Sequence, residues 1–83
     1  MDYTLSRHVE EAIREREILP EWLAQTMADP VTIEPDPNDP DLNHALRPIA
    51  DFGYRVLRVI FNKTKTPPHV VTVFFDRTLK GKL

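Results

Sequence analysis

The sequence contains no cysteine, only two glycines and a single tryptophan among its 83 residues. Without cysteine the chain can form neither a disulfide framework nor a zinc ribbon, and no thiolate is present to act as a nucleophile. A small fold that needs no disulfide fits the reducing conditions of the cytosol, so we expect a cytoplasmic protein.

Long apolar runs are also missing. The first eleven residues, MDYTLSRHVEE, have neither the basic start nor the apolar stretch of a signal peptide. No apolar run approaches the roughly 20 residues that a membrane-spanning helix needs. We therefore expect neither export nor membrane insertion. The length fits one small domain, residues 1–83, that buries about 60–65% of its unfolded surface.

Acidic and basic side chains are divided between the two halves of the chain. Residues 1–43 carry eleven acids and three arginines, a balance of −8, whereas residues 44–83 carry eight basic residues and two acids, a balance of +6. One interpretation is a basic surface that meets a phosphate backbone or an acidic protein segment. The other is that the two halves neutralise each other in the folded protein, because halves of a sequence need not be halves of a structure.

The N-terminal segment predicts an amphipathic helix over residues 5–17. Ser6 is placed to cap it, and Val9 and Ile13 belong to its apolar stripe. Arg16 falls in the middle of this stripe. Either the helix has stopped packing by that point, or Arg16 points inward to a partner.

A second helix and a loop complete the first half. Pro20 suits the first position of a helix that continues over residues 21–27, because that position needs no backbone donor. A short strand is predicted at 31–33. Residues 35–41 then form a loop, since they hold three prolines, three acids and no hydrophobic periodicity.

Three longer segments of the second half, residues 44–50, 54–62 and 69–75, predict strands. The first is placed at an edge of the sheet because Pro48 cannot donate a ladder hydrogen bond. The last is apolar on both faces and is therefore placed centrally. The predicted fold class is α+β, with two N-terminal helices packed on an antiparallel sheet of about four strands.

The segment 54–62 alternates clearly between two faces. Tyr54 and Arg58 share the face that points away from the helices. The opposite, core-facing set consists of Leu57, Val59 and Phe61. We expect the first helix to pack on this second set.

A group of short motifs is spaced along nearly the whole chain. They are His8, Glu11, Arg16 and Ile18 on the first helix, Asp29-Pro30 after the second, and the strand segments 57–59 (Leu-Arg-Val) and 70–74 (Val-Val-Thr-Val-Phe). In these motifs the chain resembles a bacterial family of unknown function, DUF4258. It departs from that family at Ala12, where a second arginine is usual, and at Glu17, where glycine is usual.

That family is similar to the RelE, ParE and BrnT toxins, whose small α+β fold packs helices against an antiparallel sheet. Most of those toxins are ribonucleases or gyrase poisons that an antitoxin holds silent. The resemblance therefore implies a toxin-like domain that binds RNA, with metal-independent RNA cleavage as its candidate activity and a small antitoxin protein as its partner. The alternative is a non-catalytic protein-binding module that retains the fold.

RNA cleavage without a metal needs a base for the 2′-hydroxyl, cations for the charge that develops on the phosphate, and an acid for the leaving oxygen. His8 is the candidate base or acid, since imidazole titrates near neutral pH. Glu11, three residues further on, can orient that imidazole or serve as the base itself. Arg16 and Arg58 are the candidate cations, because a guanidinium binds phosphate oxygens bidentately.

Further residues are candidates for contact with RNA. Tyr54 can stack on a base, and the others are cations of the basic half. The predicted RNA-binding residues are Arg47, Tyr54, Arg55, Arg77 and Lys80. No metal site and no cofactor is predicted, because His8 and Glu11 form the only pair at helical ligand spacing.

Each candidate also has a structural alternative. His8 can be a helix-start residue that hydrogen-bonds the next element, and Glu11 can belong to a solvated helix face. Arg16 can bind carbonyls or a carboxylate inside the fold. Arg58 can lie on the solvent face of its strand, and Tyr54 can pack beside the turn that precedes it.

Overall fold

The computed structural model describes residues 2–83. Both helices lie in the first half of the chain, where apolar residues recur at helical spacing, and the three long strands lie in the second half. Two 3-10 turns, Ala50–Phe52 and Arg77–Leu79, follow the third and the fifth strand. The helices and strands are β1 Thr4–Leu5, α1 Arg7–Glu15, α2 Pro20–Ala28, β2 Thr32–Pro35, β3 Leu42–Ile49, β4 Arg55–Asn62 and β5 His69–Asp76.

The five strands form one sheet in the order β1-β5-β4-β3-β2. Neighbours are antiparallel except for β1 and β5, which pair in parallel with Thr4 opposite His69. The α+β class and the two helices are confirmed. The prediction of about four antiparallel strands is wrong, because the sheet has five strands and is mixed. The sequence does not predict β1, since two residues are too few to show alternation.

The predicted edge position of the third strand is also wrong, since β3 pairs with β2 on one side and β4 on the other. Proline is tolerated there because β2 begins only at Thr32 and does not extend alongside Pro48. Its pairing stops at Thr32 opposite Leu46, and the Val31 N–H donates to the Leu46 carbonyl at 2.9 Å. Alternate residues of a strand direct their backbone groups to the same side. The backbone position at which Pro48 lacks a donor therefore faces the β2 side of β3, beyond the first residue of β2.

Both helices cover one face of the sheet and close an apolar core there. Leu57 and Val59 are fully buried and Phe61 is 9% exposed, which confirms the predicted core face of β4. Helix α1, with Val9 buried and Ile13 partly buried in the core, lies mainly over β5, whereas α2 lies over β3 and β4. The expectation that the first helix packs chiefly on the β4 set is therefore wrong. The buried members are Val9, Ala12, Ile18, Trp22, Leu23, Met27, Ala45, Ile49, Leu57, Val59, Phe61, Val70 and Val73.

The helix starts follow the predicted signals. The Ser6 hydroxyl accepts from the Val9 N–H at 3.1 Å, and Pro20 is the first residue of α2. Each helix has nine residues, so α1 is shorter than the predicted 5–17 and α2 slightly longer than 21–27. Within residues 2–83 no helix has the length and apolar character to cross a membrane.

Helix α1 ends in a motif that favours glycine. The Arg16 N–H donates to the Ala12 carbonyl at 2.9 Å, and the Ile18 N–H reaches back to the Ile13 carbonyl at 3.0 Å. The second bond requires a residue in the left-handed conformation just after the end of the helix. Glu17, with φ of 54°, is that residue. Glycine adopts this conformation without a steric penalty. The chain therefore carries a strained glutamate at the position where the family it resembles has glycine.

Candidate nucleic-acid interface

A cleft of about 620 Å³ opens where the two 3-10 turns approach the end of α1. Four cationic side chains line it against one carboxylate, which leaves the lining with a net charge of +3. Within residues 2–83 none of these four cations forms a salt bridge, so their charge is available to a ligand. The lining residues are Arg16, Phe52, Arg55, Phe75, Asp76, Arg77 and Lys80.

The turn after β3 builds the aromatic wall of the cleft. Gly53 and Tyr54 both have positive φ, 64° and 60°, and this tight turn leaves Phe52 37% exposed. The Phe52 ring stacks on Trp22 with 5.3 Å between centroids, and the Arg55 guanidinium lies 4.5 Å from the Phe52 centroid. A guanidinium held in this way offers both a plane for stacking a base and donors for a phosphate.

Arg16 connects the end of α1 to β5. Its Nη1 donates to the Val73 carbonyl at 2.8 Å, so the interruption of the apolar stripe does have a partner inside the fold. A guanidinium has five N–H donors, and one such bond leaves most of them available. Because Arg16 also lines the cleft, a structural contact and a ligand contact are compatible in this residue.

Asp76 is the carboxylate of the cleft, and the protein itself fills its acceptor positions. Oδ1 accepts from the Thr78 backbone N–H at 3.0 Å and from the Thr78 hydroxyl at 2.6 Å. Oδ2 accepts from Nε of Arg58 at 3.0 Å, and Nη2 of the same guanidinium lies 2.9 Å from it as an ion-pair contact. The Thr78 hydroxyl and the Arg58 guanidinium hold the pKa of Asp76 below its ordinary value, although burial opposes them. An ionised carboxylate has about four lone-pair positions, so three hydrogen bonds and the ion-pair contact with Arg58 fill most of them.

Arg58 belongs to a group of five titratable side chains on the sheet face opposite the helices, which we call the polar cluster: Glu34, Asp36, His44, Arg58 and Asp76. The Arg58 side chain is 14% exposed and that of Asp76 is 15% exposed. Arg58 Nη1 lies 2.7 Å from His44 Nδ1 and 3.3 Å from Glu34 Oε1. His44 Nε2 lies 2.6 Å from Asp36 Oδ1.

The partners of His44 fix its tautomer. Arg58 can only donate, so His44 Nδ1 must accept. The proton that this tautomer carries is on Nε2, which donates to Asp36. This bond, followed by the backbone N–H of Asn38, lowers the pKa of Asp36. The second Asp36 oxygen also accepts from the Asp39 N–H at 2.9 Å, so the cluster ties the loop before β3 to the sheet.

Four of the nine predicted site residues come together at the cleft. One was predicted as a catalytic cation and three as RNA-binding residues: Arg16, Arg55, Arg77 and Lys80.

Arg47 and Tyr54, also predicted to bind RNA, lie at a separate hollow of about 280 Å³. Arg47 Nη1 donates to the Asp29 carbonyl at 2.6 Å, which satisfies the end of α2. Tyr54 is 64% exposed but precedes β4 in a left-handed conformation. The prediction that it shares a strand face with Arg58 is therefore wrong.

The predicted catalytic residues are not joined to one another. His8 Nε2 lies 3.3 Å from the Thr72 hydroxyl, and Glu11 forms an exposed pair with Arg7 at 3.7 Å. Arg58 bonds within the polar cluster, so it does not lie on a solvated strand face. In the part of the chain that the structure describes, no hydrogen bond links two of the four predicted catalytic residues, and no three histidine or acidic side chains form a group that could hold a metal ion.

The acidic first half and the basic second half of the sequence neutralise each other only in part in the folded protein. Arg47 pairs with Asp29, and Arg58 with Glu34, so basic residues of the second half do neutralise acids of the first. The cations of the cleft take no part in this pairing. The neutralising interpretation therefore holds for some of the basic residues, whereas the cations of the cleft have no acidic partner within residues 2–83.

Sequence reasoning missed the contribution of Phe52 and Asp76 to the cleft and the pairing of Asp36 with His44. One signal was present: an aspartate followed two residues later by threonine, as in Asp76 and Thr78, is typical of a side-chain-capped turn. Asp36 and His44 carry no such signal. They meet through the register of β2 and β3, which no local spacing reveals.

A family model matches residues 5–75 of the chain. The chain belongs to DUF4258, a domain family of unknown function. The resemblance seen in the sequence motifs is thereby confirmed. No curated protein and no solved structure matches the chain. The DUF4258 match includes Arg16, Phe52 and Arg55, whereas Asp76 and the basic turn after it follow directly on the matched segment.

Proposed function

We propose that this DUF4258 protein binds RNA in the cleft, as a toxin-like domain related to the RelE, ParE and BrnT toxins. The observation that carries the proposal is the set of four unpaired cations around a hollow of about 620 Å³. That volume lies within the ~300–1,000 Å³ typical of ligand sites. Arginine and lysine in such a group favour phosphate oxygens, and Arg55 held over Phe52 can also stack on a base.

RNA cleavage is supported less strongly than RNA binding. The cations that hold a phosphate would also stabilise the charge that develops on it during cleavage, which meets one of the three chemical requirements. The lining offers no ready base or acid, because the protein fills most acceptor positions of Asp76 and His8 lies at Thr72. Cleavage through His8 and Glu11 would therefore require these side chains to approach the bound RNA.

The antitoxin expected from the resemblance would use the same surface. An acidic protein segment matches a lining of charge +3 as well as a phosphate backbone does. RNA and such a segment should therefore compete for the cleft.

A specific observation also favours the protein-binding alternative. β2 is an edge strand, and its flanking and central apolar residues Val31 and Ile33 are 54% and 51% exposed. An edge of this kind can pair with an extended segment of another protein. The toxin-like function requires RNA binding and the protein-binding function does not, so one RNA-binding experiment distinguishes them.

The experiment is a titration of the protein into fluorescently labelled oligouridine, followed by anisotropy at increasing salt. We expect binding that weakens with salt, with a log–log slope of about −0.7 for each phosphate neutralised and about −2.8 if all four cations engage. Arg55→Ala and Arg77→Ala should each flatten the slope by about 0.7. Arg14→Ala is the matched control, because Arg14 is an exposed arginine outside the cleft.

Absence of binding at low ionic strength would contradict the proposal and favour the protein-binding module. Mapping cut ends on the same RNA, with His8→Ala beside the unmodified protein, tests cleavage separately. Cut ends that appear equally with both proteins would remove His8 from any catalytic role.

A further inference from the structure

The basic turn, residues 77–80, is held in place by the residue that precedes it. Both bonds from Thr78 close onto Asp76 Oδ1, so the carboxylate caps the 3-10 turn that carries Arg77 and leads to Lys80. Arg77 and Lys80 supply half of the cations that line the cleft. Their position therefore depends on where Asp76 is held.

Asp76 is in turn held by Arg58. The guanidinium grips Oδ2 through Nε and Nη2, and its Nη1 is anchored on the other side by His44 and Glu34. Arg58 thus makes three hydrogen bonds and one further ion-pair contact inside the protein. The chain of bonds continues through His44 to Asp36, so it crosses the sheet from the acidic loop to the cleft.

We propose that Arg58 and Asp76 are positioning residues of the cleft, which affect RNA only by holding the basic turn in its binding position. This inference rests on the proposed function of the cleft. The protein itself fills most acceptor positions of Asp76, and the Arg58 side chain, 14% exposed, lies behind it. Arg58, expected from the sequence to be a cation that binds phosphate, is on this view a residue that acts through Asp76.

A positioning role and a simple effect of charge predict opposite changes in RNA affinity when Asp76 is replaced. If only charge matters, Asp76→Asn removes the single carboxylate from a basic cleft, and RNA should bind more tightly. If position matters, the same change weakens the grip of Arg58 and releases the turn. RNA should then bind more weakly, and the salt slope should flatten by up to about 1.4 as Arg77 and Lys80 lose their phosphates.

The experiment compares Asp76→Asn, Arg58→Gln and the double variant with the unmodified protein. Oligouridine affinity is measured across salt, and backbone hydrogen exchange of residues 77–83 is followed by mass spectrometry. Asp51→Asn is the control, since it removes one exposed acid that lies outside the cleft. Circular dichroism shows which variants are folded under the assay conditions, and Asp76→Asn, as the milder change, suffices if Arg58→Gln is not.

The expected result is weaker binding, a flatter slope and faster exchange of the turn in both single variants, with no further loss in the double variant. Asp51→Asn should leave all three unchanged. Tighter binding by Asp76→Asn, or weaker binding without faster exchange, would overturn the proposal. If the unmodified protein binds no RNA, the proposed function fails, and the exchange data alone then decide whether Arg58 and Asp76 position the turn.

Discussion

Replacing Arg58 by methionine should destabilise the fold far more than its place on a strand face without helices would suggest. Methionine keeps much of the apolar stem and removes the guanidinium. The change leaves Asp76 and His44 without the donor that they share, in a region where Arg58 and Asp76 are 14% and 15% exposed. From alternation in the sequence alone, Arg58 would be predicted to be exposed, and its loss to have little effect on the stability of the fold.

The magnitude follows from the bonds that are lost. Removing one partner of a fully buried ion pair costs ~3–5 kcal/mol, while an exposed pair is worth under about 1 kcal/mol. The Asp76 pair is mostly buried and doubly bonded, and the Glu34 contact is long, at 3.3 Å, with Glu34 half exposed. We therefore expect a loss of about 2–4 kcal/mol. A domain of this size has roughly 4–12 kcal/mol of unfolding free energy in total, so the loss is a large fraction of it.

Urea denaturation followed by circular dichroism measures this quantity. The Arg58→Met midpoint should fall with an unchanged m-value, since the same surface is exposed on unfolding. Arg14→Met is the matched control and should shift the free energy by less than about 0.5 kcal/mol. Equal, small shifts in the two variants would refute the reasoning, because they would show that the polar cluster contributes nothing to the folded state.

Three further predictions follow from the same structure. Glu17→Gly should raise the urea midpoint by an amount equivalent to about 0.5–1 kcal/mol, because it relieves the positive φ; a lowered midpoint would contradict this. Val59→Ala should cost ~2 kcal/mol, since the side chain is fully buried, and an unmoved melting curve would show the core to be misassigned. The lowered pKa values of Asp76 and Asp36 mean that their contribution is fully present above about pH 4 and is lost as the pH falls through their folded-state pKa values. Asp76→Asn should therefore flatten the acid side of a stability–pH curve, and an unaltered curve would oppose the assignment.

Local patterns predict the helices and the long strands because each of these elements is specified by its own residues. Ser6 caps one helix, Pro20 opens the other, and alternation through Leu57 and Val59 defines the core face of β4. The interior position of β3 could not be predicted in this way. Proline removes a ladder hydrogen bond on one side of its strand only. Whether β2 reaches Pro48 depends on where β2 begins, and that is set by the pairing of the two strands.

The cleft is less predictable than the fold because its residues come from separate elements. Arg16 ends the first helix, Phe52 lies in the turn after β3, and Lys80 follows the last strand. Composition correctly indicated that the second half is basic, but it could not separate the cations that pair with acids from those that do not. Arg58 shows the limit most clearly. Alternation places it away from the helices, whereas its burial depends on side chains from neighbouring strands.

The division of arginines between the polar cluster and the cleft bears on how a protein of net charge −2 could bind RNA. Exposed charges are screened over ~8 Å at physiological ionic strength, so a phosphate in the cleft responds mainly to the side chains that line it. The acids that would oppose binding are partly neutralised elsewhere, with Asp29 on Arg47 and Glu34 on Arg58. Net charge is therefore a poor guide to this domain, and the local net charge of +3 on the cleft lining is the quantity that its proposed function depends on.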